Sequence, residues 1–482
     1  GRDETFSLAQ AERPNAAKAA GVIADKMLCP VTDALSSTAS SSWPPLRKTI
    51  WQALDKIQDR DNAALFWQMG AGKTVSAIEL TERETWNTPT LICLVLKSTV
   101  SQWIDELQGQ TDRQVFNGYK KSKKDGVKTF INAAGRKALV IGYDAYKAKS
   151  AAELRQYIND NEKDVTMICD ESSLIGHMTS ERTKAVMKTQ VRHRLLLSGT
   201  PATGGKMEAM IPTMNMLGWN ITKEKFLQQF CHVYEWTDPT RPWMTIPIIQ
   251  GYKNIDKLRE GLQEHGGSFI TMEEAGVQLP ATTEQIISIQ TPPEYKRFMK
   301  NGIVKIGDTE IVGENNLTKM LYARQICSVY NPAKAVALEE ALQPAGDEMG
   351  VTAELYVLQK IREKLGRPMS IVNGQKKDLQ EYEKGTPGTV ILCQYQAASM
   401  GLNLQRARIC IFYSQCLSYS DYEQAKARIH RIGQSRNCNF YNLICEGSIE
   451  EDILETLEQR KDYTEQLFTE KHGAKKEEVK AA

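Results

Sequence analysis

The chain has 482 residues, 41% hydrophobic and 25% charged, which is too long for one ordinary core and fits a globular protein of two to three domains. Its 61 Lys+Arg against 59 Asp+Glu exclude a case for nucleic-acid binding from bulk charge and leave only local runs, such as "YKKSKKDGVK" at 119–128, which reads as a solvated loop. The ten cysteines show no paired C-x-x-C or Cys/His spacing, no stretch is apolar enough to span a bilayer and no leader pattern opens the chain, so buried free thiols in an intracellular protein with no membrane partner are expected.

Residues 1–42 run into "DALSSTASSSWPP", a Ser-rich and then Pro-rich stretch that reads as a linker, with ordered structure expected from about Leu46. Over 43–203 the pattern alternates: helix-like "LRKTIWQALDKI", strand-like "AALFW", a glycine turn, helix-like "KTVSAIELTERE", then strand-like "TLICLVL", "KALVIGYD", "VTMICD" and "HRLLLSGTP". Strands alternating with helices predict an α/β fold, a parallel sheet flanked by helices with ligands at the carboxyl ends of its strands. Residues 204–345 read as a mostly helical insertion and interlobe region. Over 346–482 the βα rhythm returns in "PMSIVNG", "GTVILCQYQ", "ARICIFYSQ" and "CNFYNLIC" and ends in the charged helix "SIEEDILETLEQRKDYTEQLF". The whole predicts two lobes.

"MGAGKT" at 69–74 stands between a strand and a helix, the setting of a phosphate-binding loop. There Gly70 and Gly72 let the backbone approach phosphates, Lys73 reaches the β and γ phosphates, and Thr74 offers a hydroxyl to Mg2+. Trp67 occupies the place of the first glycine of the full pattern. "VTMICDESS" delivers Asp170 to hold the Mg2+ and Glu171 to polarise an attacking water, so Lys73 and the two acids together describe an ATPase. Arg428 and Arg431 of "RIHRIGQ" lie one helical turn apart in the second lobe, where an arginine can neutralise charge on the γ-phosphoryl group when the cleft closes.

This series resembles a superfamily 2 helicase-type ATPase of the Swi/Snf-related class, and in particular its compact viral and phage members. "MGAGKT" is similar to motif I, "LICLVLKSTVSQWIDEL" (91–107) to motif Ia and "ALVIGYDAY" (138–146) to motif Ib. "DESS" is similar to motif II, "RLLLSGTP" (194–201) to motif III, "QYQAASMGLNLQ" (394–405) to motif V and "EQAKARIHRIGQ" (423–434) to motif VI. The resemblance runs from about Leu46 to Phe468 and implies two RecA-like lobes, ATP and Mg2+ as cofactors, and movement along double-stranded DNA. It implies that Ser198, Gly199 and Thr200 couple the nucleotide to DNA grip and that Gln424 contacts nucleotide or the interlobe surface. It also implies that Lys97, Ser98, Tyr143, Gln396 and Asn403 lie along the nucleic-acid track.

Three departures stand out. "PPLRKTI" replaces the glutamine-bearing stretch before motif I, Gly176 replaces a lysine that follows motif II, and the strand of motif IV that should open the second lobe is not found. The expected function is a DNA-dependent ATPase that translocates on double-stranded DNA, its task set by a protein partner or by residues 204–345. The alternatives are an RNA- or single-strand-directed helicase, for which no strand-splitting pin or aromatic platform is identifiable, and a non-hydrolysing DNA-binding scaffold.

Overall fold

The computed structural model describes residues 45–118, 123–202, 205–238, 241–314, 316–342, 350–353, 366–373, 376–395, 402–431 and 433–458. The first half supplies strands β1 (Asn62–Leu65), β2 (Thr90–Val95), β3 (Gln114–Asn117), β4 (Lys137–Gly142), β5 (Val165–Cys169), β6 (His193–Leu197), β7 (Cys231–Asp238), β8 (Arg241–Tyr252) and β9 (Gly267–Ser268). The second half supplies β10 (Thr282–Ile289), β11 (Ile303–Ile306), β12 (Thr309–Val312), β13 (Gly350–Ala353), β14 (Met369–Val372), β15 (Lys377–Asp378), β16 (Val390–Cys393), β17 (Ile409–Phe412) and β18 (Cys438–Cys445).

Two sheets result, in the orders β3-β4-β2-β5-β6-β1-β9 and β10-β18-β17-β13-β16-β14-β15. Every pairing in the first sheet is parallel, and in the second only β14 with β15 is antiparallel. The α/β expectation therefore holds. The strands read as unbroken apolar runs because both faces are covered: along β2, Ile92 and Leu94 enter one core while Leu91, Cys93 and Val95 enter the other. In the second sheet β16 divides the same way, Ile391 and Cys393 to one face and Val390 and Leu392 to the other.

The predicted helical insertion over 204–345 is corrected. Met207, Met210, Phe226 and Phe269 pack into the first lobe's core, and β9 extends its sheet beside β1. β10 instead runs parallel to β18 over eight residues in the second sheet. The stretch is thus shared between the lobes, and it also carries the antiparallel hairpins β7–β8 and β11–β12. Its strands escaped the sequence pattern because they are edge or hairpin strands with mixed exposure, as in β10, where only Ile289 is buried.

A central strand of the second sheet that the sequence hid is β13, which lies between β16 and β17. It spans four residues, "GVTA", and it begins on glycine, too short and too weakly apolar to stand out. The charged helix predicted from Ser448 is helical over 449–458, and its continuation lies outside the described residues. No helix among the described residues is long and apolar enough to cross a membrane.

Candidate active site

Strands β5, β6 and β1 are neighbours, so the loops leaving their carboxyl ends meet. The loop after β1 turns through Gly70 and Gly72, both left-handed with φ of 85° and 83°, a region that costs a glycine little. It opens the helix Lys73–Glu82, whose first N–H groups have no partner within the helix and form a ready anion site. Lys73 Nζ donates to the carbonyls of Trp67 at 2.9 Å and Gln68 at 3.3 Å. The missing first glycine is explained by Trp67, a fully buried side chain whose indole N–H donates to Ser268 Oγ at 2.9 Å and so ties the loop to β9. The helix Pro45–Asp55 abuts the same loop, with Ile50 3.9 Å from where a Cβ on Gly72 would stand.

Asp170 and Glu171 follow β5. Asp170 Oδ2 accepts from the indole N–H of Trp103 at 2.8 Å, and Oδ1 accepts from the backbone N–H of Glu171 at 3.0 Å. Burial pushes the Asp170 carboxyl up, opposed by the Trp103 hydrogen bond and the Lys73 charge. Burial likewise pushes Glu171 up and the Asp170 charge adds to it, while Lys73, the Ser173 hydroxyl at 3.0 Å and Arg428 pull it back. A carboxyl held above its ordinary range is suited to taking a proton from water. Glu171 sits in the left-handed region at φ 50° and ψ 55°, a strain of about 1–3 kcal/mol that concentrates at functional sites. Gly176 is also accounted for, because a Cβ there would stand 2.8 Å from the carbonyl of Ala209.

The loop after β6 closes over the lysine. A Cβ on Gly199 would stand 3.4 Å from Lys73 Nζ and 2.9 Å from Met69 Cγ, so a side chain there would have to push Met69 aside. Ser198 is fully buried and its hydroxyl accepts from Thr200 N at 3.2 Å. Thr200 then reaches the other lobe, its hydroxyl 3.2 Å from that of Ser420 on the helix Tyr419–Ile429, and Ser420 Oγ also accepts from Gln424 Nε2 at 3.3 Å. Gln424 thus supports Ser420, the residue that makes the interlobe contact.

Arg428, on the same helix, bears on both Lys73 and Glu171, lowering the pKa of each. Burial, Arg431 and Glu171, in that order, shape its own pKa, which burial brings down to about 10. Arg431 is held differently, donating from Nη1 to the carbonyl of Leu402 at 3.3 Å. The final glutamine of "RIHRIGQ" is a strut: Gln434 Nε2 donates to the carbonyls of Ala407, Gln405 and Ile429 at 2.9, 3.1 and 3.2 Å.

The residues expected on the nucleic-acid track separate. Lys97 is exposed and Ser98 half-buried after the carboxyl end of β2, and Asn403 is exposed between the buried Leu402 and Leu404. Tyr143 is a correction: it is buried, and its hydroxyl donates to the carbonyl of Asp170 at 2.6 Å, so it braces the acidic loop from beneath. Gln396 lies outside the described residues. Sequence reasoning missed Trp103 and Ser420. Nothing local aims an indole at an acid 67 positions away or joins two hydroxyls 220 apart.

The site fits the expected cofactors. Asp170, whose two oxygens each accept one hydrogen bond and keep further lone pairs, and the half-buried Thr74 hydroxyl would hold Mg2+ as hard oxygen donors. Lys73 and the helix N-terminus would receive the phosphates of ATP. When bound, the ion neutralises charge on the phosphate oxygens.

Two family descriptions match the chain, an SNF2-related domain over residues 48–331 and a helicase conserved C-terminal domain over 352–433. The RAD54-like DNA repair and recombination protein of Danio rerio is 22% identical over 504 residues, covering 86% of this chain and 65% of the relative. The DNA annealing helicase and endonuclease ZRANB3 of Mus musculus is 22% identical and covers 80% of this chain and 37% of its own length. The chain therefore spans less than two thirds of these relatives. A solved SWI2/SNF2 ATPase core of Sulfolobus solfataricus, in complex with dsDNA, aligns over 88% of this chain and 92% of that core at 17% identity and a TM-score of 0.38. With the SNF2-related match alone spanning more than half of its length, the chain belongs to the SNF2-related family.

Proposed function

We propose that the protein is an ATP hydrolase that translocates on double-stranded DNA and remodels DNA or protein–DNA complexes. One observation carries this reading: Lys73, Asp170 and Glu171 converge beyond the carboxyl ends of interior strands of the first sheet while Arg428, from the second, bears on Lys73 and Glu171. In this reading Lys73 binds and orients the phosphates, Glu171 takes a proton from the attacking water, and Arg428 meets charge that develops on the transferred group. Lys97, Ser98 and Asn403 are offered to the phosphate backbone, contacts that need no high net charge. The nine described cysteines, all buried and free, support a reducing compartment. The narrower likeness to compact viral and phage members rests on the motif pattern alone.

A second reading gains one observation. The exposed aromatic residues among those described, Tyr234, Trp236 and Trp243, all lie on the β7–β8 hairpin, with Trp243 81% exposed. Aromatic faces of this kind stack single-stranded bases. The exposed Glu235 stands among these rings and repels a phosphate backbone, which makes the hairpin a poor single-strand platform, so duplex DNA remains the favoured track.

The test is steady-state ATPase activity without nucleic acid and with duplex DNA, single-stranded DNA or RNA, at low and moderate salt. Stimulation by duplex DNA that weakens with salt is expected, with turnover abolished in Lys73→Ala and Glu171→Gln and nucleotide binding retained in Glu171→Gln. Greater stimulation by single strands would replace this reading with the second, and near-normal turnover in either variant would remove the site assignment.

A further inference from the structure

The lobes meet at a pair of hydroxyls, one from the segment likened to motif III and the other, Ser420, outside every motif pattern. Thr200 Oγ1 and Ser420 Oγ are 3.2 Å apart and half-buried. Ser420 Oγ accepts the Gln424 amide proton and also pairs with Thr200 Oγ1, so the three groups form a continuous hydrogen-bonded chain from Gln424 through Ser420 to Thr200. At the first-lobe end, Thr200 is two residues from the buried Ser198 and adjoins Gly199, the residue that lies against Lys73. At the other end, Ser420, Gln424 and Arg428 follow at i, i+4 and i+8 of one helix and share a face.

From these positions we infer that Ser420 is a positioning residue: its hydroxyl latches the arginine-bearing helix to the segment 198–200 and so sets the reach of Arg428 over Lys73 and Glu171. The inference rests on the ATPase reading proposed above and adds to it the group that registers cleft closure. Serine suits the role. Its small side chain lets the helix approach the first lobe, and a hydroxyl can accept from Gln424 while donating to Thr200.

Two measurements test it. In DNA-stimulated turnover, Ser420→Ala is expected to lower kcat roughly five- to tenfold, the worth of one hydrogen bond made in the transition state, with KM for ATP within about twofold. Ser420→Thr keeps the hydroxyl and is expected to restore kcat, and the Thr200→Ala/Ser420→Ala double variant is expected to fall no further than the worse single. A merely structural serine would move KM and thermal stability together and show no rescue by threonine. Independently of turnover, a Thr200→Cys/Ser420→Cys variant treated with diamide is expected to close an intramolecular disulfide, which blocks the lobes until reduced. Wild-type kcat in Ser420→Ala, additive losses in the double variant, or no disulfide in the cysteine pair would each overturn the latch. A disulfide that forms in a protein without hydrolysis on any nucleic acid would keep the contact and refute the ATPase reading instead.

Discussion

Glu171 combines a strained backbone, burial and a hydroxyl partner in one residue, and its protonation should govern the acid side of the reaction. As the proposed base it must be ionised, so the rate should fall as pH drops through its pKa, which burial and the neighbouring Asp170 hold above the ordinary carboxylate range of about 4.3. Ser173 donates to Glu171 Oε1 and favours the ionised form. Ser173→Ala should therefore move the acid limb of kcat/KM to higher pH while leaving the plateau at higher pH close to the parent, as a pH–rate profile would show; an unmoved limb would mean that another group titrates there. Such supports were not legible in the chain. "DESS" announces the acids, but Trp103 and Tyr143 become partners of Asp170 only because the sheet places β2 next to β5 and β4 one strand further along.

At the level of elements, "GLNLQ" and "RIHRIGQ" prove to be one device. Leu404 N donates to the carbonyl of Arg428 at 3.1 Å, Arg431 to that of Leu402, and Gln434 to three more. Gln434→Ala leaves those three carbonyls short of a donor and a gap where a buried side chain stood, which should cost about 2–4 kcal/mol. Urea unfolding followed by an optical probe of the second lobe checks this, and a loss under about 0.5 kcal/mol would show that water takes over the bonds. The helices and strands bearing the site were legible wherever both sheet faces are covered, since β2, β4, β5 and β16 are continuous apolar runs. β9 was not, because two residues are too few for a pattern to register, and neither was β13, because "GVTA" lacks the continuous large apolar residues that mark β16 at the same length.

Across the whole molecule, the proposed hydrolysis draws on groups from both lobes. Arg428 is contributed from 257 positions beyond Glu171, and its charge bears on Glu171 from the other lobe. Arg428→Ala should lower kcat on the order of 10³-fold with nucleotide affinity retained, because the arginine meets charge that develops in the transition state. Single-turnover hydrolysis beside nucleotide binding separates the two effects, and an equal loss in both would make Arg428 a ground-state ligand. The amino-acid sequence alone determined the α/β class and nominated the candidate site residues, Lys73, Asp170, Glu171 and Arg428, with their strand-to-helix settings, because local backbone preference and apolar periodicity are written in neighbouring positions. Only the tertiary structure decided that residues 204–345 are shared between the lobes, that Tyr143 braces from beneath, that β13 fills the second sheet and that Thr200 meets Ser420. Those contacts join positions far apart in the chain, and what selects them is the packing of two sheets against their helices.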